Sequence, residues 1–109
     1  MERLAGLFVS ATTTDAWVPD PDVPGSEMHE LVHADGIWAG LTRIEAVDGP
    51  QPWTPDQRET ILVLQGRVRI EVDGETVADL GPGDMASLPA HVATVWHVTA
   101  PFKEFWVLA

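Results

Sequence analysis

The chain has 109 residues, with 6 Lys and Arg against 17 Asp and Glu, so its formal net charge is −11 at pH 7. This length suits one domain, and 45% hydrophobic with 21% charged residues indicates a packed globular protein rather than a disordered chain. A strongly acidic chain argues against a nucleic acid or an anionic membrane as the partner. The absence of cysteine excludes disulfides, thiolate metal sites and a cysteine nucleophile.

The first 35 residues are predicted to form an N-terminal strand and an extended arm that packs on the remaining domain, residues 36–109. Residues 4–11 are an apolar run at the short limit for a signal-peptide core, and Glu2 cancels the charge of Arg3. We therefore favour a first β-strand there. Residues 12–25 contain three prolines, which indicates a loop or an arm. No apolar run reaches the roughly 20 residues of a membrane span, and we expect a cytoplasmic protein.

Glycine and proline divide the rest of the chain into short segments that favour strands. Residues 66–73 alternate, with Val68, Ile70 and Val72 on one face and charged residues on the other. Asp73-Gly74 is a strong hairpin turn. The further predicted strands cover residues 28–33, 36–46, 75–80, 85–88, 92–99 and 102–108.

Residues 54–66 are open to two interpretations. Thr54-Pro55-Asp56 has the form of a helix N-terminus, with Gly66 as a stop. However, Ile61–Leu64 is a continuous apolar run without a one-sided helical stripe, and two of its four residues are β-branched. We favour a buried strand. Eight or nine short strands with tight turns then make an all-β sandwich or barrel.

Two runs of residues resemble the motifs of one family. Residues 59–66 (ETILVLQG) resemble the first cupin motif, and residues 81–84 (GPGD) resemble the opening of the second. Trp38, residues 53–55, Trp96 and residues 101–103 look like those of small single-domain cupins related to ureidoglycine aminohydrolases. The likeness covers about residues 36–109. It implies a cupin jelly-roll barrel (a double-stranded β-helix), a site inside the mouth of the barrel and, usually, a homodimer.

The departures from this family concern its metal ligands. Metal-binding cupins place two histidines shortly before the glutamate, whereas residues 52–58 contain none, and Thr94 stands where the histidine of the second motif would fall. Only Glu59 remains of four expected ligands, and one carboxylate does not hold Zn, Fe or Mn. We therefore predict no metal and no other cofactor. A displaced site made from Glu59 and the histidines at positions 29, 33 and 91 stays open as an alternative.

Glu59 is the leading candidate for acid–base chemistry. If it faces the interior, desolvation raises its pKa, and the carboxyl then suits a general acid or base near neutrality. Alternatively, it is a structural acid paired with an inward Arg or Lys. His91, on a motif turn near the mouth, is a candidate proton shuttle, or simply a turn histidine. His97 is expected to point away from the interior because its strand parity is opposite to that of Trp96.

The candidate substrate-binding residues are aromatic, polar and basic. Five tryptophans and no tyrosine are an unusual choice, and indole rings suit a planar or apolar ligand. They would also serve as core filling. Two basic residues are possible counter-ions for a substrate carboxylate or for the glutamate, although an exposed position is the alternative for both. The predicted set is Trp38, Arg43, Trp53, Thr94, Trp96 and Lys103, with Arg43 placed inward by the parity it shares with Ile37, Ala39 and Leu41.

These observations favour a protein that binds a small organic molecule. Our first hypothesis is a metal-independent enzyme that performs acid–base chemistry, such as an isomerisation, cyclisation, elimination or C–N hydrolysis. The second is a non-catalytic binding or sensor module on the same fold. The third is a metal-dependent cupin with displaced ligands. The resemblance does not by itself transfer an activity, because one fold supports many chemistries.

Overall fold

The computed structural model describes residues 4–109, and these residues form eight β-strands and no helix. The predicted all-β class is therefore confirmed, and no helix in this part of the chain is long and apolar enough to cross a membrane. The strands are β1 (Val18–Pro19), β2 (Ser26–Ala34), β3 (Ile37–Ile44), β4 (Gln51–Trp53), β5 (Glu59–Val72), β6 (Glu75–Leu80), β7 (Met85–Leu88) and β8 (Thr94–Leu108).

The two longest strands, β5 and β8, are the centre of the fold. They pair antiparallel from Glu59 opposite Leu108 to Glu71 opposite Val95. On its other side β8 pairs with β4 near its start and with β3 near its end, while β5 pairs with β7 near its start and with β6 near its end. The order β1-β2-β3-β8-β5-β6 completes the sheet. Because each long strand serves two sets of neighbours, the sheet curves around one interior, as in a cupin jelly roll.

The bend in β5 lies at Gly66. The pairing with β8 shifts register between Val63 and Gln65 and again between Gln65 and Arg67. Gly66 lies in the second shift and has φ +78°, a conformation that glycine adopts at little cost. A Cβ at this position would clash with the carbonyl oxygens of Thr99 and Pro101. Gly66 is thus a bend within a 14-residue strand, whereas the sequence predicted a break there. The strands predicted over residues 92–99 and 102–108 are likewise one strand, β8.

The core consists of side chains that alternate into the interior. Ile61, Val63, Val68, Ile70 and Phe102 are at most 1% exposed, and burying each such side chain stabilises the fold by roughly 1.5–3 kcal/mol. The run Ile61–Leu64 lies in β5. The favoured strand interpretation is therefore confirmed, and the helical alternative for this segment is wrong.

The strand predicted for residues 4–11 is not formed, and Glu2 and Arg3 lie outside the described residues. Leu4 and Val9 are 74% and 75% exposed, so this apolar run has no sheet partner that would hold it as a strand. Further along, the arm does touch the barrel. The Nζ of Lys103 donates to the carbonyl oxygen of Thr12 over 3.2 Å, and Ser10 Oγ lies 2.7 Å from His29 Nε2. The arm therefore lies on the outer face of β2, β3 and β8.

Candidate functional site

A cavity of about 80 Å³ lies inside the barrel, between strands β2, β3, β4, β5 and β8 and the segment that follows β1. One water requires roughly 10–15 Å³ by this measure, so the cavity has room for several waters or a small organic group. Its walls are mostly apolar. The four indoles on the wall belong to Trp38, Trp53, Trp96 and Trp106.

Glu59, the first residue of β5, lines this cavity. It is 5% exposed, because it shares the inward face of β5 with Ile61 and Val63. The indole N–H of Trp53 donates to Glu59 Oε1 over 2.8 Å. Burial raises the pKa of Glu59 from 4.5 to about 7, while the hydrogen bond from Trp53 opposes that rise. Near neutrality, Glu59 is therefore present in both protonation states.

A second carboxyl group, that of Glu104, lines the same cavity. Glu104 lies on β8, opposite Val63 of β5, and is 4% exposed. Burial raises its pKa well above the ordinary value, and the charge of Glu59 raises that pKa further. Among the described residues, its Oε2 atom has no hydrogen-bond partner. The cavity thus holds two buried carboxyls that influence each other.

Sequence reasoning did not identify Glu104, although a signal was present. Phe102, Trp106 and Leu108 share its strand parity and are all buried. The parity of this strand was ambiguous because Phe105 and Val107, on the opposite face, are apolar as well. The reason for this is visible in the structure: Phe105 lies beside Thr12 of the N-terminal arm, in a second small cavity. Both faces of β8 are covered there, so hydrophobicity alone does not distinguish them.

Arg43 of β3 does not face the interior as predicted, and both faces of this strand are covered as well. Trp38 and Thr42 of β3 line the cavity, so the alternate residue Arg43 faces outward. Its Nε donates to Glu27 Oε1 over 2.9 Å, and its guanidinium carbon lies 4.5 Å from the ring centre of Trp17. The parity argument fails because the arm covers the outer face of β3 and Leu41 is buried beneath it.

Lys103 also lies outside the cavity. Its ammonium group lies 5.8 Å from the ring centre of Trp17 and donates to the arm at Thr12. Neither predicted counter-ion therefore reaches Glu59, and within residues 4–109 no Arg or Lys forms the salt bridge to Glu59 that was the structural alternative. Among the residues that the structure describes, the charged side chains that line the cavity are all acidic, namely those of Asp20, Asp22, Glu59 and Glu104.

Hydrogen bonds fix the indoles of the cavity. Trp106 Nε1 donates to Thr42 Oγ1 over 2.8 Å, and Trp96 Nε1 donates to Thr94 Oγ1 over 3.0 Å. The Trp38 ring meets the Trp106 ring edge-on, with centroids 5.2 Å apart.

Thr94 is 3% exposed and does not line the cavity. Its hydroxyl donates to the carbonyl oxygen of Trp53 and accepts from Trp96, which makes Thr94 a residue that positions both indoles. The structure places Trp38, Trp53 and Trp96 on the cavity wall, and their role in binding stays a prediction.

His91 is not at the cavity. It lies exposed on the turn before β8 with φ +66°, and its backbone N–H donates to the carbonyl oxygen of Pro55 over 2.7 Å. The predicted proton shuttle between His91 and Glu59 therefore lacks the proximity it needs. His97 points away from the cavity as predicted, since its Nε2 lies 2.8 Å from Glu71 Oε1.

The donor set of the cavity does not fit the metal that many cupins hold. His29 Nδ1 lies 2.8 Å from the carbonyl oxygen of Ala16 on the outer face, while the His33 ring stacks on Trp38 with centroids 4.8 Å apart. These histidines, His91 and Glu59 do not converge. Within residues 4–109, no group of three or more His, Cys, Asp or Glu side chains is arranged to hold a metal ion. The displaced metal site considered from the sequence is therefore wrong.

Comparison with known proteins identifies the family of this chain. Residues 42–105 match the family of EutQ-like cupin domains. The chain belongs to that family. No curated protein matches it. The narrower likeness to ureidoglycine aminohydrolases is not confirmed.

Solved cupin structures share the fold of this EutQ-like cupin. The Clostridium difficile EutQ protein is 17% identical, with a TM-score of 0.65 over 76% of this chain and 66% of that chain. KdgF from Halomonas sp. is 22% identical, with a TM-score of 0.65 over 85% and 86% of the two chains. An RmlC-like cupin from Shewanella frigidimarina is 16% identical, with a TM-score of 0.73 over 93% and 87%. At these identities the similarity establishes the fold alone.

Proposed function

We propose that this EutQ-like cupin is an enzyme that transfers protons on a small organic molecule bound in the barrel cavity. Glu59 is the general base, and Glu104 is the acid that was not foreseen from the sequence. One observation carries the proposal: both carboxyls line one small cavity with tryptophan walls. Buried acids with displaced pKa values are concentrated at functional sites.

The two carboxyls are suited to different roles. Glu59, with a pKa of about 7, is poised to accept or release a proton at neutral pH. Burial and the charge of Glu59 raise the pKa of Glu104 well above its ordinary value, which favours its protonated form when Glu59 is ionised. Two acids whose surroundings separate their pKa values can serve as base and acid in one reaction.

An isomerisation fits this pair best among the acid–base reactions. The Glu59 carboxylate takes a proton from one substrate atom, and Glu104 gives its proton to another atom, so the double bond moves and the substrate keeps its composition. Glu59 is then protonated and Glu104 ionised, and proton exchange with water restores the starting states. No oxidant, reductant or co-substrate is required. Cyclisation, elimination and C–N hydrolysis would use the same acid and base.

No step in this proposal passes through a metal ion. The described lining residues of the cavity offer the carboxyls of Asp20, Asp22, Glu59 and Glu104 and no imidazole or thiolate. No three of these groups are arranged to hold an ion, whereas Zn or Fe sites have three or four convergent ligands. Independence from metals is a prediction of the proposal.

The test is a screen of small organic compounds in D₂O, with NMR detection of deuterium that the protein introduces into a compound. With a compound that exchanges, Glu59→Gln should lower turnover by about 10²–10⁴-fold. The matched control is Glu75→Gln, on the exposed start of β6, which should leave turnover unchanged. The rate should rise as the pH passes about 7, because the base must be ionised, and should fall again at higher pH where Glu104 loses its proton.

Two results would contradict the proposal. Full turnover by Glu59→Gln would remove the assigned base. A compound that binds in the cavity and stabilises the protein, but never gains deuterium or forms a product, would instead indicate a binding or sensor module.

A further inference from the structure

We infer that the ligand of this cavity carries a small organic cation, an alkylammonium or quaternary ammonium group, held by the tryptophan rings and the two carboxyls. The inference rests on the proposed function in one respect: it takes the same cavity as the site. It adds the chemical class of the molecule that enters.

The first argument is charge. The ionisable groups on the cavity wall are Asp20 and Asp22 from the segment after β1, Glu59 on β5 and Glu104 on β8, and β2, β3 and β4 add no charged side chain to it. The nearby basic residue Arg43 is bound to Glu27 on the outer face. Glu59 and Glu104 are buried, whereas Asp20 is half-buried and Asp22 exposed. An anionic ligand would therefore meet acidic groups, whereas a cation would be compensated.

The second argument is an unused acceptor. Glu104 Oε2 is buried in the cavity wall and has no hydrogen-bond partner among the described residues. Leaving a buried polar atom unpaired is costly. In the ionised form of Glu104, a ligand with N–H groups or a positive charge would satisfy this oxygen, and an apolar or anionic ligand would not.

The third argument is that the wall offers few donors. The indole N–H groups of Trp38, Trp96 and Trp106 donate to Glu30, Thr94 and Thr42, and that of Trp53 donates to Glu59. With their N–H groups occupied, the indoles present aromatic carbon and π-electron density to a ligand. Trp is the side chain that attracts cations most strongly in this way.

A cation that enters this cavity should displace a proton. Burial raises the pKa of Glu59 to about 7 and that of Glu104 well above its ordinary value, and a positive charge beside these groups favours their ionised forms. Binding therefore releases protons, and affinity rises as the pH rises through about 7.

The test uses isothermal calorimetry with the full chain and three probes. They are choline, its uncharged isostere 3,3-dimethyl-1-butanol, and acetate. At pH 7.5, choline should bind at least about tenfold more tightly than the isostere, a difference of the size expected for a desolvated cation–π contact. Acetate should bind more weakly still. The observed heat should depend on the ionisation enthalpy of the buffer, with the sign of proton release.

Two variants separate charge from shape. Glu104→Gln keeps the size of the side chain and removes a buried acid, so it should fold and should lose about tenfold in choline affinity with little effect on the isostere. Glu75→Gln, on the exposed start of β6, should change neither affinity. Equal affinities of choline and the isostere, or tighter binding of acetate, would overturn the inference.

The two proposals can fail separately. If a neutral or anionic compound is turned over in a manner that requires Glu59, the ammonium inference is wrong and the enzyme proposal stands. If choline binds with proton release while no bound ammonium compound exchanges deuterium, the ammonium inference stands and the enzyme proposal is wrong.

Discussion

The indole N–H of Trp53 donates to Oε1 of Glu59 over 2.8 Å, and this bond links the short strand β4 to the beginning of β5. It is the one described hydrogen bond to this carboxyl, and it acts against the burial that raises the pKa. The balance between burial and this donor sets the pH at which Glu59 ionises. Trp53 is thus a positioning residue for the candidate base.

Trp53→Phe should raise the pKa of Glu59 above 7. The variant removes a donor that favours the ionised carboxyl, and such bonds are worth about 1.5–3 kcal/mol, so the rise should be about one pH unit or more. The measurement is the ¹³C chemical shift of the Glu59 carboxyl as a function of pH. Trp17→Phe removes an indole outside the cavity and should leave the midpoint unchanged. An unaltered midpoint in Trp53→Phe would show that the bond does not control ionisation.

Glu59→Gln should stabilise the protein at neutral and alkaline pH. A carboxyl whose pKa is raised by folding binds its proton more tightly in the native state, so its contribution is fully present below pH 4.5 and is lost as the pH rises to about 7. The loss is at most about 1.4 kcal/mol per pH unit, or about 3 kcal/mol across this window. The advantage of Glu59→Gln should therefore grow from pH 4.5 and level off above 7.

Urea unfolding of both proteins at several pH values measures this difference. Glu75→Gln, with an exposed carboxyl, should show no such trend. A stability advantage for Glu59→Gln that is independent of pH would mean that Glu59 ionises at its ordinary pKa.

The sequence predicted the fold from features that depend on local chemistry. The alternation in Gly66–Asp73 and the apolar run Ile61–Leu64 indicate strands, and β5 contains all of these residues except Asp73, which lies in the turn. The cupin motifs then singled out Glu59 as an interior acid, which its 5% exposure confirms. Alternation predicts side-chain orientation correctly wherever one face of a strand is packed and the other is exposed to solvent.

The alternation of apolar and polar residues does not predict which side chains face inward where both faces of a strand are covered. Glu104 and Arg43 lie on β8 and β3, and the arm packs on the outer side of both strands near Leu41 and Phe105. The sequence pattern then does not distinguish the inward-facing Glu104 from the outward-facing Arg43, because apolar residues occur on both faces of their strands. The path of the arm depends on contacts between distant residues, such as Lys103 with Thr12, and these leave no periodic trace in the sequence.

Gly66→Ala should destabilise the protein far more than Gly74→Ala. Both glycines have positive φ, +78° and +79°, so both variants carry the same backbone strain of about 1 kcal/mol. At Gly66 the added methyl also meets the carbonyl oxygens of Thr99 and Pro101, whereas at Gly74 nothing lies within 4 Å. We expect an additional loss of about 2 kcal/mol or more at Gly66. Equal unfolding free energies would mean that β5 and β8 are not in close contact at the bend.

Arg43→Gln should loosen the N-terminal arm without changing the affinity of a cavity ligand. The guanidinium lies over Trp17 and binds Glu27, and an exposed cation–π contact of this kind is worth about 0.5–1 kcal/mol. Limited proteolysis should therefore cut residues 4–17 a few times faster in the variant. Choline affinity serves as the second measurement, and a large loss of affinity would place Arg43 at the cavity after all.

The purified protein should contain far less than one transition metal per chain, and chelators should leave its melting temperature unchanged. The reason is the donor set: no group of three His, Cys, Asp or Glu side chains in residues 4–109 is arranged as ligands, and stable Zn or Fe sites need three or four. Elemental analysis after dialysis measures the content. About one equivalent of tightly held metal would contradict the proposed metal-free mechanism.

The aromatic composition has a practical consequence for anyone who seeks the ligand. The chain has five tryptophans and no tyrosine, so its near-ultraviolet emission comes from indole alone. Four of the five indoles line the cavity, and one donates directly to Glu59. Tryptophan fluorescence of the unmodified protein therefore reports directly on the cavity. Compounds that bind there can be found by screening for those that quench or shift this emission.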